Sequence, residues 1–146
     1  MSDWIYPNGI ACVAVPTRNG IEAVGFVYKI TINDHHYIGK KQYYSKRKVP
    51  KGKKELASQD GRASKKKLVV KESNWKSYCS SSDEVKRLVE LGHVPHREIL
   101  RVCYSLKEMS YFENKYLYEV FHMGNVLNRN LSGTYFKEEV EGYGLL

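Results

Sequence analysis

Long hydrophobic runs are missing from the sequence, and no stretch approaches the roughly 18 consecutive apolar residues that a membrane-spanning helix needs. The first residues also lack the basic start and apolar block of a secretory signal peptide. Cysteine is scarce, and Cys12, Cys79 and Cys103 form no CxxC pair. We therefore expect an intracellular protein with reduced cysteines and no membrane partner.

Several motifs of common enzyme and binding classes are also missing. The sequence contains no Gly-rich phosphate loop of Walker type and no Gly-x-Ser-x-Gly elbow. His93 and His96 lie close together, but no cysteine or further histidine lies at the spacing of a zinc site. Phosphate-loop NTPases, serine hydrolases of the elbow type and zinc fingers are therefore not indicated.

The positive charge is concentrated in one segment. Residues 40–76 contain 14 of the 24 Lys and Arg residues with only three acidic residues, whereas the remainder has 10 basic and 13 acidic residues. Such a segment attracts polyanions and releases their counterions on binding. Because Tyr43, Tyr44, Trp75 and Tyr78 lie at its edges, we interpret it as a nucleic-acid-binding segment. A solvated surface loop, or a segment that binds an anionic membrane surface, would carry the same charge. The predicted contacts are Lys41, Lys46, Lys48, Lys51, Lys53, Lys54, Arg62, Lys65, Lys66, Lys67, Lys71, Trp75 and Lys76.

The rest of the sequence predicts one α+β domain with a small antiparallel three-stranded sheet flanked by helices. Residues 23–32 and 36–39 have the composition of strands, and Asn33-Asp34 between them predicts a hairpin turn. Residues 99–104 form the third predicted strand. Capping boxes at Ser81 with Glu84 and at Ser105 with Glu108 predict two helices, which end at Gly92 and about Phe121. Apolar residues at helical spacing give the second helix a buried face, formed by Met109, Phe112, Tyr116, Leu117 and Val120.

Three segments fall outside this core. Residues 1–22 form an N-terminal extension, in which 10–15 is a candidate strand and Asn19-Gly20 a candidate hairpin turn. Residues 40–48 are expected as a loop or short helix, and the lysine-rich residues of the basic insert, about 45–72, as a long insertion loop. The predicted domain spans 23–133, closes with an irregular segment over 124–133, and is followed by a C-terminal tail, 134–146.

Glu113 interrupts the apolar stripe of the second helix. A carboxylate that points toward a core is costly unless it is paired or binds a metal. Magnesium takes hard oxygen ligands, often one or two carboxylates completed by substrate phosphates and water. Helical spacing alone favours the simpler interpretation, in which Glu113 faces solvent or pairs with Lys115 or Arg101. Tyr28 and Tyr37 likewise have a simple interpretation as core tyrosines.

The order of these residues nevertheless resembles the GIY-YIG nuclease family, in particular the SegE-like phage endonucleases. The resemblance is carried by residues 26–31, by the run Tyr-Ile-Gly-Lys-Lys at 37–41, and by the long basic insert that follows. It continues through residues 71–78, 97–100 and 110–113. Together these motifs cover about residues 24–133.

The resemblance assigns the proton and water chemistry to two tyrosines. Tyr28 matches the first-motif tyrosine, which acts as or assists the general base, and Tyr37 matches the tyrosine that positions the water or the phosphate. A phenol with a pKa near 10 is a poor base, so nearby cations are expected to lower the pKa of Tyr28. The family's histidine or tyrosine one turn after its arginine is replaced here by Lys51. Candidate substitutes for it are Tyr43, Tyr44 and His36.

The resemblance assigns the charge chemistry to four other residues. Lys40 lies near the scissile phosphate, Arg47 stabilises the pentacoordinate phosphorane, and Asn128 shapes the site. Glu113 ligates a single divalent cation, Mg²⁺ or Mn²⁺.

The resemblance therefore implies a metal-dependent endonuclease that cuts double-stranded DNA and belongs to a phage or mobile element of the homing type. Its location would be the cytoplasm of the host cell. A single metal site cuts one strand, so a double-strand break requires a homodimer on DNA or two events. The alternative is a non-catalytic basic protein that binds DNA or structured RNA.

Overall fold

The computed structural model describes residues 2–61 and 63–143. Arg62, one of the predicted nucleic-acid contacts, lies outside the described residues. The chain divides into two units, Met1–Tyr43 with Asn74–Leu146 and Tyr44–Ser73. Within the described part of the chain, no helix is both long enough and apolar enough to cross a membrane. The elements in chain order are β1 (Trp4–Ile5), β2 (Ala11–Cys12), β3 (Thr17–Arg18), β4 (Ile21–Glu22), β5 (Gly25–Ile32), β6 (His35–Gln42), β7 (Tyr44–Pro50), α1 (Lys53–Ser58), β8 (Lys66–Glu72), α2 (Asp83–Glu90), β9 (His96–Cys103), α3 (Leu106–Val120), β10 (Asn130–Leu131), β11 (Tyr135–Phe136) and α4 (Lys137–Gly142).

The first unit is built on a five-stranded sheet in the order β2-β1-β9-β5-β6. The three predicted strands form its antiparallel part, β9-β5-β6, so the α+β class is confirmed. The predicted number of strands is wrong, because the N-terminal extension adds two. β1 pairs with β9 in parallel, with Ile5 opposite Glu98, and β2 pairs with β1. The sheet is therefore mixed, and β6 is one of its edges.

Both predicted hairpin turns are present. Asn33 and Asp34 have positive φ angles of 48° and 61° and join β5 to β6. Asn19 and Gly20 have φ angles of 53° and 76° and join β3 to β4. Two successive residues with positive φ give a turn whose twist matches that of the flanking strands.

The two main helices begin with serine caps. Ser105 caps α3 by accepting a hydrogen bond from the backbone N–H of Glu108 at 3.1 Å, as predicted. The cap of α2 is Ser82, which accepts from the N–H of Val85 at 3.4 Å, so the predicted cap at Ser81 is wrong by one residue. The chain turns sharply just before it, because Ser80 has a φ of 77° and accepts from the N–H of Ser82. Ser81 is thereby left outside the helix.

The two faces of the sheet carry different cores. On one face α3 packs against β5, β6 and β9, and the buried residues are largely aliphatic. The other face is aromatic: the ring of Trp4 lies 5.0 Å from that of Phe26, and the ring of Trp75 lies 5.0 Å from that of Tyr43. Trp75 is fully buried, so its ring cannot stack on a base. Its predicted role as a nucleic-acid contact is therefore wrong.

Residues 75–78 are fastened to the aromatic face by two buried donors. The indole N–H of Trp4 donates to the backbone carbonyl of Trp75 at 2.6 Å. The guanidinium of Arg97, which is 1% exposed, donates to the carbonyls of Lys76 and Tyr78 at 2.9 Å each. It also donates to the carbonyl of Ser2. The N-terminal extension thus completes the packing of the first unit.

The second unit is a hairpin rather than a loop. β7 pairs with β8 over seven residue pairs, and α1 lies in the connection between them. The predictions of a loop or short helix over 40–48 and of an irregular insertion are therefore wrong. None of its described residues is buried. It contains eleven Lys and Arg residues and three acidic residues. The first unit contains 13 basic and 13 acidic residues, which cancel, so the whole net charge of +8 resides in the hairpin unit.

The C-terminal region also differs from the prediction. Residues 124–133 were expected to be irregular, but Asn130 and Leu131 pair with Phe136 and Tyr135 as a short β10-β11 hairpin. The predicted tail contains α4, whose Val140 is buried.

Candidate active site

The predicted site residues of the first unit surround the edge strand β6. Side chains of a strand alternate between its two faces, so Tyr37, Gly39 and Lys41 lie on the aromatic face. Lys40 lies on the face that α3 covers, because its ammonium donates to the hydroxyl of Ser110 on that helix at 3.0 Å. The site therefore has a tyrosine side and a charged side, which meet at the edge of the sheet.

The tyrosine side depends on a glycine. Tyr28 on β5 lies directly opposite Gly39 on β6. A Cβ atom at Gly39 would collide with the hydroxyl of Tyr28, and it would lie 3.0 Å from the ring of Tyr37. The rings of Tyr28 and Tyr37 have centroids 6.3 Å apart. Glycine in the Tyr-Ile-Gly motif is thus required here because it leaves room for the Tyr28 hydroxyl.

Tyr28 is protonated in this environment. Burial raises the pKa of Tyr28 well above its ordinary value of 10.0, and the neighbouring hydroxyls of Tyr78 and Tyr37 raise it further. Burial disfavours the phenolate because the charged form loses its hydration. The expectation that cations lower this pKa is wrong for the free protein, since no described cation contributes to the shift. The protonated phenol of Tyr28 can donate a hydrogen bond.

Tyr37 connects the two sides of the site. Burial raises the pKa of Tyr37, a hydrogen bond with Ser81 opposes this shift, and the carboxylate of Glu113 on α3 raises the pKa again. The negative charge of Glu113 thus acts electrostatically on the Tyr37 hydroxyl. Tyr37 is half-buried, whereas Tyr28 is only 1% exposed. Of the two phenols, Tyr37 is therefore the one that a substrate can reach more easily.

Glu113 and Lys40 form the charged side. Burial raises the pKa of the Glu113 carboxyl, and the ammonium of Lys40 opposes that shift. Neither predicted alternative partner takes the carboxylate. Arg101 pairs with Glu108 at 3.3 Å, and the ammonium of Lys115 lies 5.7 Å from the centre of the Phe112 ring.

Asn128 fixes the edge strand between the two sides. Its side-chain oxygen accepts from the backbone N–H of Ile38 at 3.0 Å, and its amide donates to the carbonyl of Ile38 at 2.7 Å. Asn128 is 7% exposed, so water does not compete strongly for these bonds. Because Ile38 lies between Tyr37 and Gly39, this pair of bonds holds the residues that carry the tyrosine side.

The remaining predicted residues have different surroundings. Arg47 belongs to the second unit, where it is exposed on β7 opposite Val69, and its catalytic role stays a prediction. Tyr43 is buried in the aromatic core, which removes it as a substitute for the missing family residue. The ring of His36 is hydrogen-bonded to the hydroxyl of Thr31 at 3.0 Å.

Three residues near the tyrosines were not predicted as site residues. Tyr78 lies with its ring centroid 6.1 Å from that of Tyr28. Ser80 and Ser81 follow two and three residues later, and both lower the pKa of Tyr37. The sequence signal was a run of three serines where a helix cap needs only one.

The donors fit an ion held by one carboxylate. In the described part of the chain no group of three or more His, Cys, Asp or Glu residues could hold a metal by itself. Glu113 is a half-buried carboxylate without an ion-pair partner within 4.0 Å among the described residues. A single carboxylate suits Mg²⁺, which keeps several waters and takes substrate phosphate oxygens as ligands.

The comparison with protein families identifies the family of the chain. Residues 14–140 match the family model described as "Putative endonuclease segE, GIY-YIG domain". The chain belongs to the SegE-type GIY-YIG family. Membership implies endonuclease activity, which is the hydrolysis of phosphodiester bonds, and this decides against the non-catalytic alternative. No curated protein and no solved structure matches this GIY-YIG chain.

Proposed function

We propose that this GIY-YIG protein is a divalent-metal-dependent endonuclease that cuts double-stranded DNA. The observation that carries the proposal is the assembly at one sheet edge of Tyr37 and Lys40 with Glu113, which lies more than seventy positions later in the chain. Lys40 contacts α3 through Ser110, three residues before Glu113. Glu113 in turn raises the pKa of Tyr37.

The proposed reaction adds water across the bond between phosphorus and the 3′ oxygen. The hydroxyl of water goes to phosphorus, the bond from phosphorus to the 3′ oxygen breaks, and that oxygen takes up a proton, leaving a 5′ phosphate and a 3′ hydroxyl. Tyr37 positions the water or the phosphate, and Lys40 neutralises charge on the phosphate oxygens. The buried phenol of Tyr28 donates a hydrogen bond and does not take the proton.

Glu113 is the residue that would hold the divalent ion. When bound, Mg²⁺ or Mn²⁺ supplies Lewis acidity and stabilises negative charge on the phosphate. Lys40 provides a second positive charge near Glu113, and Asn128 keeps Tyr37 in register with both groups through β6.

The test of the proposed function is a nicking assay on supercoiled plasmid with purified protein. We expect nicked plasmid with Mg²⁺ or Mn²⁺ and intact plasmid with EDTA. Equal cutting in EDTA would contradict metal dependence, and tighter binding to structured RNA than to duplex DNA would contradict the proposed substrate.

The hairpin unit is the proposed DNA-binding surface. Replacing Lys65, Lys66 and Lys67 with alanine is expected to weaken binding for all DNA sequences alike, since lysine contacts to phosphate carry no base information. The plot of log affinity against log salt concentration should become shallower, and the magnitude of its negative slope should decrease by up to about 3, which is roughly one for each lost phosphate contact. Lys67 pairs with Glu55 at 2.6 Å, so its share should be the smallest.

Fluorescence anisotropy with labelled duplexes at several salt concentrations measures this slope. The matched control removes three exposed lysines of the first unit, Lys86, Lys107 and Lys115. If the control variant decreases the magnitude of the slope as much as the hairpin variant does, DNA does not bind preferentially to the hairpin unit.

Arg47 is predicted to act in the reaction rather than in binding. Replacing it with alanine should lower the cleavage rate roughly 100- to 1,000-fold, the usual effect of removing one donor that stabilises the transition state. Lys48 is the matched control, because adjacent residues of β7 point to opposite faces of the hairpin. Rates are measured in single-turnover assays with saturating enzyme. If Arg47→Ala and Lys48→Ala lower the cleavage rate equally and only slightly, Arg47 has no catalytic role and is one phosphate contact among several.

The biological setting follows from the same family. We propose an intracellular enzyme of a phage or mobile element, with a double-strand break made by a homodimer on DNA or by two successive nicks. Sequencing the ends of cleaved genomic DNA would give the target and the stagger of the cuts.

A further inference from the structure

The β7-β8 hairpin has two different faces. Residues directly opposite each other in an antiparallel pair place their side chains on the same face, and the two faces alternate along each strand. Lys46 lies opposite Val70 and Lys48 lies opposite Leu68, so these four side chains share one face, which we call the lysine-apolar face. Leu68 and Val70 are 59% and 54% exposed. Two apolar side chains thus stand in solvent, each with a lysine directly across the ribbon.

The opposite face is partly occupied by the hairpin unit itself. It carries Val49 and Val69, which are half-buried, together with Lys67 and Arg47. The ammonium of Lys67 pairs with the carboxylate of Glu55 on α1 at 2.6 Å, so α1 lies on this side of the ribbon. The lysine-apolar face is therefore the one that the hairpin unit leaves open along its length.

The dimensions of the ribbon match the major groove of DNA. The major groove of B-DNA is about 12 Å wide and admits a two-stranded ribbon, whereas the minor groove, about 6 Å wide, is too narrow for one unless the DNA is deformed. The two strands pair over seven residues. At about 3.3 Å per residue this gives roughly 20–23 Å, which spans about six or seven base pairs.

Charge decides between DNA and other occupants of this face. An exposed apolar patch can also bind another protein or a second copy of the chain. The hairpin unit carries the whole net charge of +8, so two copies of it would repel each other, whereas DNA carries one negative charge per about 1.7 Å of its axis. The acidic residue of the lysine-apolar face, Glu72, lies at the end of the ribbon, opposite Tyr44. The middle of the face presents only lysines and apolar side chains to a polyanion.

These side chains can read bases as well as bind phosphates. In the major groove thymine presents a methyl group, which apolar side chains contact, and guanine presents the acceptors O6 and N7, to which lysine donates. Leu68 and Val70 have the chemistry for the first contact. Lys46 and Lys48 have the chemistry for the second, and they lie on the same face, so all four reach the same groove.

We propose that the lysine-apolar face enters the major groove of duplex DNA and determines which sequence the enzyme binds, with Leu68 and Val70 in contact with thymine methyl groups. Lys46 and Lys48 donate to guanine or to phosphate along the same stretch. The inference rests on the proposed function, and it adds to that function a surface that provides sequence specificity.

The first experiment tests the inference on the wild-type protein. A random-sequence duplex library is selected for binding with EDTA present, which prevents cutting, and the most enriched duplex becomes the probe. We expect a defined sequence that contains thymine. A selection that enriches no sequence would contradict the inference, because the face would then bind phosphates alone.

Changes in the DNA then identify the groove. The probe is synthesised with uracil in place of thymine, which removes only the major-groove methyl groups, or with inosine in place of guanine, which removes only the minor-groove amino groups. The uracil duplex should bind about three- to tenfold more weakly, the effect of one or two lost methyl contacts, and the inosine duplex within about twofold of the unmodified probe. Equal binding of the thymine and uracil duplexes, or a loss confined to inosine, would overturn the inference.

Replacing Leu68 and Val70 together with serine tests the assignment to this face. Both side chains are exposed, so the ribbon does not depend on them for a core. The double variant should bind the thymine and uracil duplexes equally, while it keeps the salt dependence that the lysines provide. Val94→Ser, at a position of the first unit that is 77% exposed, is the matched control and should keep the preference for thymine.

A double variant that prefers thymine as strongly as the wild type would show that other residues read the methyl groups, and the inference would be wrong. The comparison of thymine and uracil duplexes on the wild type needs no variant, so its result does not depend on how the double variant folds. The proposed function fails separately, through a wild-type protein that does not cut plasmid with Mg²⁺ or Mn²⁺.

Discussion

Replacing Glu113 with glutamine is expected to remove DNA cleavage almost completely, by at least about 1,000-fold, while the fold and DNA binding are preserved. Glutamine has nearly the same shape as glutamate but carries no charge, so its amide oxygen is a much weaker ligand for a divalent ion than the carboxylate. The charge of Glu113 acts on Tyr37 and is itself affected by Lys40, and among the described residues no group of three or more His, Cys, Asp or Glu residues offers a substitute metal site.

The same substitution should not destabilise the protein. Burial raises the pKa of Glu113, which means that the folded protein disfavours the ionised carboxylate. Within the described residues Glu113 has no ion-pair partner that the substitution would leave buried and unpaired. We therefore expect the free energy of unfolding of Glu113→Gln to equal that of the wild type or to exceed it slightly.

Single-turnover cleavage, urea denaturation and anisotropy with EDTA present measure the three quantities separately. Glu119→Gln is the matched control, because Glu119 lies on the same helix but is exposed. If the Glu113→Gln variant cuts DNA at the wild-type rate with Mg²⁺ present, the metal site is assigned to the wrong carboxylate. A parallel loss in Glu119→Gln would indicate an effect of helix charge rather than of metal ligation.

Local rules predicted those parts of the fold that depend on neighbours in sequence. The turns at Asn19-Gly20 and Asn33-Asp34 and the cap at Ser105 involve contacts within a few residues. The β7-β8 hairpin was missed because its strands are exposed on both faces. Lysines and apolar residues such as Leu68 and Val70 therefore follow no pattern of buried and exposed positions.

The site was predictable to the extent that family motifs name its residues in order. Tyr37, Lys40 and Glu113 follow that order, and the structure brings them to one edge of the sheet. The packing of Tyr78 against Tyr28 was not predictable, because residues 75–78 are held by the bonds of Trp4 and Arg97 to backbone carbonyls of this segment. A side chain that binds distant backbone groups leaves no local pattern in a single sequence.

The N-terminal extension illustrates the same limit and leads to the second large effect. β1 and β2 have two residues each, which is too short for a periodic pattern, and they lie before residue 14, where the family match begins. Yet Trp4 is fully buried, with its ring 5.0 Å from that of Phe26 and 5.1 Å from that of Tyr28. The extension is therefore part of the layer that supports the tyrosine side of the site.

Replacing Trp4 with alanine is expected to lower the free energy of unfolding by about 3–5 kcal/mol, a large share of the roughly 5–15 kcal/mol that stabilises a typical domain. The substitution removes a buried ring and leaves the carbonyl of Trp75 without its indole donor. Trp4→Phe keeps an aromatic ring and loses only the donor, and the carbonyl of Trp75 still accepts from the backbone N–H of Tyr78 at 3.4 Å, so its cost should be smaller, about 0.5–1.5 kcal/mol for one lost hydrogen bond.

Urea denaturation followed by circular dichroism measures both losses, with Val13→Ala as the control at a position that is 65% exposed. Cleavage by Trp4→Ala, measured at a temperature where the variant is still folded, should also fall, because the Tyr28 ring loses a packing neighbour and is held less firmly. A Trp4→Ala variant as stable as Val13→Ala would mean that the extension is dispensable. The tyrosines would then be positioned by Arg97 and the segment it holds, without help from the N-terminus.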